Sequence, residues 1–192
     1  MDFQAARKLG SLLLLDCPKD ALFGIDNQQW HTGPKFKGVK CIPPGAHFAH
    51  IALKDEDYMH KIGFFFHTRE FSHTKAHSVA HEERAMCVVR QWDPEIQTFV
   101  PLPESDESAY QEGVRNFDFD ENLGAYPMAD HPKWKQLSSL ITAETIERIQ
   151  PLRQIISSSL GPAVEAEAHE ELNLSETLDD VDRKIKEQQA LQ

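Results

Sequence analysis

His47-Phe48-Ala49-His50-Ile51-Ala52-Leu53 is the stretch on which the fold turns. A period of two puts His47, Ala49, Ile51 and Leu53 on one side and Phe48, His50 and Ala52 on the other. Neither side is cleanly polar, so a strand covered on both faces is expected. Similar runs lie around it. Leu12–Leu15 is a brief apolar run that ends at Cys17-Pro18-Lys19-Asp20, whose composition suits a turn. Leu22–Asp26 restarts an extended segment. Ile62-Gly63-Phe64-Phe65-Phe66 and Met86-Cys87-Val88-Val89-Arg90-Gln91-Trp92 are two further strand cores. Asp93-Pro94 turns the chain, and Ile96–Val100 is expected to pair back as a hairpin.

The character changes after Pro103. Ser105, with Asp106 and Glu107 behind it, predicts a helix start and a run to about Arg115. Asp130 with Pro132 marks a second helix, with Trp134, Leu137, Leu140 and Ile141 as its apolar face. Thr142-Ala143-Glu144 opens a third, which carries Ile146 and Ile149 and stops before Pro151. A short polar helix is also expected over residues 2–8. The chain therefore reads as a mainly β N-terminal domain, sandwich- or barrel-like, with a few helices at its C-terminal side, over residues 1–151. An acidic flexible linker follows over 152–172, with Ser157-Ser158-Ser159 where phosphate would add charge. Residues 173–191 form the last segment. Asn173 and Glu176 suit a helix start, and Leu174, Leu178, Val181 and Ile185 share one face. Its length leaves a short coiled coil, a docking helix and a disordered tail open.

Charge and cysteine usage narrow the function. The net charge is −11, and −6 of it falls in residues 165–192. A chain this acidic is a poor non-specific ligand for nucleic acid. Cys17, Cys41 and Cys87 are odd in number and widely spaced, which speaks against a disulfide framework and for a reducing compartment. No apolar run approaches the ~20 residues that span a bilayer. A cytosolic or nuclear protein without a membrane role is expected.

Three groups of residues could carry chemistry. His73, His77 and His81 stand four apart and would line one helix face as zinc ligands, but no cysteine or carboxylate completes a known spacing. A solvated loop is the favoured reading, and a metal-dependent hydrolase-like domain the alternative. Asp118, Asp120 and Glu121 do not fall in register for a calcium loop. Lys35 and Lys37 flank Phe36, a pattern that could stack on single-stranded RNA, although the global charge opposes it. The same loop is rich in proline and glycine, from Gly33-Pro34 to Pro43-Pro44-Gly45. That composition restrains the backbone and lowers the entropy lost on docking a protein. Trp30, Lys35, Phe36, Lys37 and Trp134 are the candidate partner-binding residues, with core packing the plainer role for Trp30, Phe36 and Trp134. No P-loop, dinucleotide fingerprint or hydrolase motif is present; no catalytic residue and no cofactor is expected.

Several of these segments carry a resemblance. Phe23-Gly24-Ile25-Asp26, Trp30, Gly33 to Lys40, Ile42-Pro43-Pro44-Gly45, His47 and Phe48 come first. Gly63-Phe64-Phe65, Val89 to Trp92, Leu123-Gly124-Ala125-Tyr126-Pro127, Lys133-Trp134 with Leu137, and Ile141 to Pro151 follow in order. Together they resemble the N-terminal domain of the Aar-two family, the cistron-splicing factors, over about residues 9–151. The segment from about Phe71 to Arg84 departs from the family pattern. The resemblance implies a mostly β domain, a linker, and an all-helical second domain that these 192 residues do not contain. It implies an assembly chaperone of the U-five small nuclear ribonucleoprotein. The implied partner is that particle's large scaffold protein (Prp-eight type), held through its RNase-H-like and Jab/MPN-like domains. The complex would delay the helicase and RNA, with release prompted by phosphorylation. Cytoplasm and nucleus are the implied compartments.

Overall fold

The computed structural model describes residues 9–53, 61–69, 86–151 and 155–158. The expected helix over 2–8, the histidines His73, His77 and His81, and the segment 173–191 lie outside them. The elements are β1 (Gly10–Leu15), β2 (Leu22–Ile25), β3 (Gln28–His31), β4 (Gly38–Ile42), β5 (Gly45–Ala52), β6 (Ile62–Thr68), β7 (Cys87–Asp93) and β8 (Thr98–Val100). Then come α1 (Glu104–Arg115), a single 3-10 turn (Asp120–Asn122), β9 (Gly124–Ala125), α2 (His131–Ser138), α3 (Ala143–Ile149) and β10 (Ile156–Ser157).

The described strands make two five-stranded sheets, ordered β8-β7-β1-β4-β9 and β10-β6-β5-β2-β3. The second is antiparallel throughout. In the first, β1 runs parallel to β7 and antiparallel to β4. Inward residues of both sheets meet in one core: Leu12, Leu14, Val39, Ile42, Val88 and Phe99 against Phe23, Ile25, Ala49, Ile51, Phe64 and Phe66. The mainly β fold with helices at the C-terminal side is thus present, in its sandwich form.

The continuous Leu12–Leu15 run has a direct cause. Leu12 and Leu14 face the other sheet, whereas Leu13 and Leu15 join Cys87, Val89 and Leu123 in a second cluster closed by Leu102, Tyr110, Val114 and Phe119. Tyr110 and Val114 come from α1, so β1 is covered on both faces.

Four details differ from the sequence reading. α1 starts at Glu104 with Pro103 as its N-cap, while the Ser105 hydroxyl donates to Asp106 instead of capping. Pro103 fixes the φ that a helix entry needs, so the turn closes two residues earlier. The loop between Gly33 and Gly45 contains a true strand, β4, because Gly38–Ile42 completes the flank of β1. In α2, Leu137 and the following Leu140 are 75% and 89% exposed, so of the expected apolar face Trp134 is tied to the sheet and Ile141 is half-buried, while the two leucines stay outside. The stretch read as the start of a linker is still tied to the sheet, with Ile156 opposite Gly63 and the Ser158 N–H on the Lys61 carbonyl. The third helix matches its reading: Thr142 is the N-cap, its hydroxyl accepting from the Thr145 N–H, and Ile146 is buried.

Candidate functional site

The proline- and glycine-rich loop is anchored at its far end by a buried polar cluster. Asp26 is the first residue of the two-residue loop between β2 and β3 and sits at φ 56, a conformation Asp tolerates better than most residues. Its side chain is 1% exposed, as is that of His47 on β5. His47 Nδ1 lies 2.8 Å from Asp26 Oδ2, and the other carboxylate oxygen accepts from the Phe48 N–H at 3.0 Å. The Tyr126 hydroxyl, from the segment after β9, donates to Oδ2 as well. Burial first, and then the bond to Asp26, push the Tyr126 hydroxyl far above its ordinary range, so it stays a donor at all accessible pH.

His47 Nε2 is 2.8 Å from the Pro43 carbonyl. A carbonyl only accepts, so Nε2 carries a hydrogen and is committed to the backbone. The Thr68 hydroxyl donates to the same carbonyl. An Asp–His pair can orient a general base, but here the outer imidazole nitrogen holds Pro43 in place and faces no nucleophile. Ring packing completes the cluster, with Phe66 at 5.5 Å and Tyr126 at 5.6 Å from His47. His131 stacks at 6.5 Å; burial, and then the neighbouring His47, lower its readiness to protonate.

The near end of the loop is pinned by the 3-10 turn. The Lys37 N–H donates to the Asn122 carbonyl (2.9 Å), the Asn122 side-chain amide donates to the Lys35 carbonyl (2.9 Å), and the Leu14 N–H donates to the Lys37 carbonyl (2.8 Å). Lys40 binds Asp120 through a 2.7 Å ion pair and a 3.0 Å bond to its carbonyl. Between loop and turn lies a shallow groove of about 360 Å³, walled by Gly33–Phe36 on one side and Glu121–Gly124 on the other.

The candidate partner-binding residues divide by exposure. Lys35 and Lys37 are exposed, with Lys37 Nζ 5.4 Å from the centre of the Phe119 ring. Trp30 and Phe36 are half-buried and pack with Phe23, the ring centres 5.4 Å and 5.0 Å from it. Their rings anchor the loop to the core. Trp134 does not line the groove; its indole N–H donates to the Ala46 carbonyl at 2.7 Å and ties α2 to β5. The Asp26–His47–Tyr126 cluster had one sequence signal, a histidine at an inward position of the β5 alternation. Its partners, 21 and 79 residues away, could not be read from spacing. Among the described residues no three His, Cys, Asp or Glu side chains converge as metal ligands, and no helix is long and apolar enough to cross a membrane.

Burial quiets two of the three thiols most. Desolvation pushes Cys17 and Cys87 up to about 12, and Cys41, half-buried, rises less. Alkylation of the native protein at pH 8 should mark Cys41 first and leave Cys17 and Cys87 intact until denaturant is added; mass mapping of the peptides reads this out. Early modification of Cys87 would mean that α1 does not stay on β7. The raised values also set a sign with pH. Stability from these two thiols is complete below the unfolded value near ~8.5 and is lost as pH rises from there toward 12.

The AAR2 N-terminal domain family matches residues 8–151. The Protein AAR2 homolog of Homo sapiens is 34% identical over 170 residues, covering 83% of this chain and 40% of that protein. The homolog of Mus musculus gives the same figures. That of Caenorhabditis elegans is 34% identical over 151 residues, 77% of this chain and 36% of its own length. The chain thus spans about two fifths of the length of the curated relatives it matches. On the domain match and on identity across most of its residues, the chain belongs to the AAR2 family.

Proposed function

We propose that this chain works by docking protein, as an assembly factor for the U-five small nuclear ribonucleoprotein in pre-mRNA splicing. Its partner is the particle's large scaffold protein of the Prp-eight type, engaged through the RNase-H-like and Jab/MPN-like domains. The bound state delays premature partner binding, and the work is done in cytoplasm and nucleus. Family membership supports this reading, and one structural observation carries it: the loop beside the groove is held at both ends before any partner arrives. The Pro43 carbonyl takes two donors and Asn122 closes on Lys35 and Lys37. Such a loop gives up little conformational entropy on binding.

Immobilised chain incubated with nuclear extract should recover the scaffold protein and other U-five components. The double variant Lys35→Glu/Lys37→Glu should lower recovery about tenfold, since both side chains are exposed and reversing their charge opposes an acidic partner surface. Failure of the parent chain to recover either would overturn the assignment, and full recovery by the variant would move the contact away from the groove. A single-stranded RNA reading needs a free aromatic face, and the Phe36 ring is taken by Phe23 and Trp30.

A further inference from the structure

The outward side of α2 is built the wrong way round for a surface helix. Trp134 and Ser138 point inward; the Ser138 hydroxyl donates to the Trp134 carbonyl at 2.9 Å, and the Trp134 indole binds β5. At helical spacing Lys133, Leu137 and Leu140 follow as i, i+4 and i+7 on another side. Ser139 keeps helical angles (φ −58, ψ −25), so the line continues past the helix end to Leu140. Leu137 is 75% and Leu140 89% exposed, and Lys133 and Lys135 are exposed beside them. The helix carries no acid of its own.

We propose that residues 174–185 of this same chain dock on that ridge as an acidic amphipathic helix. At helical spacing Leu174, Leu178, Val181 and Ile185 would share one face, the complement of a two-leucine ridge. Residues 174–185 hold four acids (Glu176, Asp179, Asp180 and Asp182) against two bases at their end (Arg183 and Lys184), a net acidic segment for a helix whose charged residues are lysines. Ser158 is fixed to Lys61 by a 2.9 Å backbone bond. The 15 residues from there to Leu174 reach about 50 Å when extended, more than a domain of this size is wide. The tether therefore allows the contact wherever the ridge lies, and holds the segment at an effective concentration that a free peptide lacks. This goes beyond the docking role above and does not depend on it.

Hydrogen exchange of the whole 192-residue chain tests the idea. Amides 174–185 should exchange at least tenfold more slowly than an unstructured peptide, equally at high and low protein concentration. Leu137→Ser/Leu140→Ser should return them to the unstructured rate, and so should Leu178→Ser/Val181→Ser. Zero-length cross-linking of monomer should join Lys133 or Lys135 to acids of the segment. Because Leu137 and Leu140 are exposed, the first variant leaves the core intact, and unchanged exchange in β1 and β5 verifies that. Unprotected amides in the parent, or protection that survives the ridge variant, would overturn the proposal. So would protection that vanishes on dilution, which would assign the ridge to a second copy.

Discussion

Replacing Asp26 by alanine is expected to cost about 3–5 kcal/mol, roughly a fifth or more of the stability of an ordinary domain. The carboxylate serves three donors at once: His47 Nδ1, the Tyr126 hydroxyl and the Phe48 N–H. Alanine removes the acceptor for all three and leaves the His47 ring nitrogen, on a side chain 1% exposed, without its partner. Urea unfolding followed by tryptophan fluorescence should show the midpoint falling by on the order of 2 M. Tyr126→Phe removes a single donor and should cost roughly 1 kcal/mol. Asp26→Asn keeps an acceptor for Phe48 and should fall between the two. An Asp26→Ala protein as stable as its parent would mean that the cluster does not hold the Pro43–Gly45 turn. The loop would then have no anchor at its far end, and the docking argument would lose its physical basis.

The cluster also explains what the resemblance was reading. Asp26, His47 and Tyr126 stand in three separate motif segments, and the structure brings them to one point. Trp134 and Gln150, from two more, both bond backbone carbonyls of the second sheet, Ala46 at 2.7 Å and Phe65 at 2.8 Å. Gly24 lies under the His50 ring, where a Cβ would come within 2.1 Å of an imidazole carbon. The motif residues are thus chiefly those that hold the scaffold. The exposed pair Lys35 and Lys37 sits among them because the same proline and glycine framework sets their loop.

Local signals were legible in the sequence to the extent that they are local. Period-two alternation gave β5, the apolar run gave β1, and the Asp93-Pro94 turn gave the hairpin, where Trp92 faces Phe99. Thr142 capped as its side chain demands. The order of strands was not legible. β1 pairs in parallel with β7, Leu12 opposite Val88, across more than seventy residues, and no spacing rule encodes that choice. β3 was missed because half of its four residues are exposed and it has no apolar rhythm. α2 was misjudged for the opposite reason: Leu137 and the following Leu140 make a good helical stripe, yet the helix is held by the Trp134 indole and the His131 ring, and both leucines face outward. A stripe shows what a helix can cover, and says nothing of whether this domain or another segment covers it.

The glycines separate two effects that are usually confounded, backbone angle and space. Gly38 lies at φ +129, and a Cβ there would stand 2.0 Å from the Leu12 carbonyl oxygen. That oxygen belongs to the central strand β1, whose Leu13 pairs with Gly38, so it cannot move without breaking the β1–β4 ladder. Gly45 has φ +136 but nothing within 4 Å, and Gly33 likewise has open space, with no positive φ. Alanine at Gly33 should change stability by less than about 0.5 kcal/mol. At Gly45 it should cost about 1–3 kcal/mol, the strain of the backbone angle alone. At Gly38 the overlap adds to the strain, and roughly 4 kcal/mol or more is expected, with little folded protein recovered at 37 °C. Thermal unfolding of the three variants measures the series. Equal losses at Gly38 and Gly45 would show that angle alone matters and that β1 can yield. A loss confined to Gly38 would show that contact with β1 matters and that the domain tolerates the strained angle. The expected ladder of three unequal steps requires both, and it places the rigidity of the loop in its register with β1, upstream of any partner.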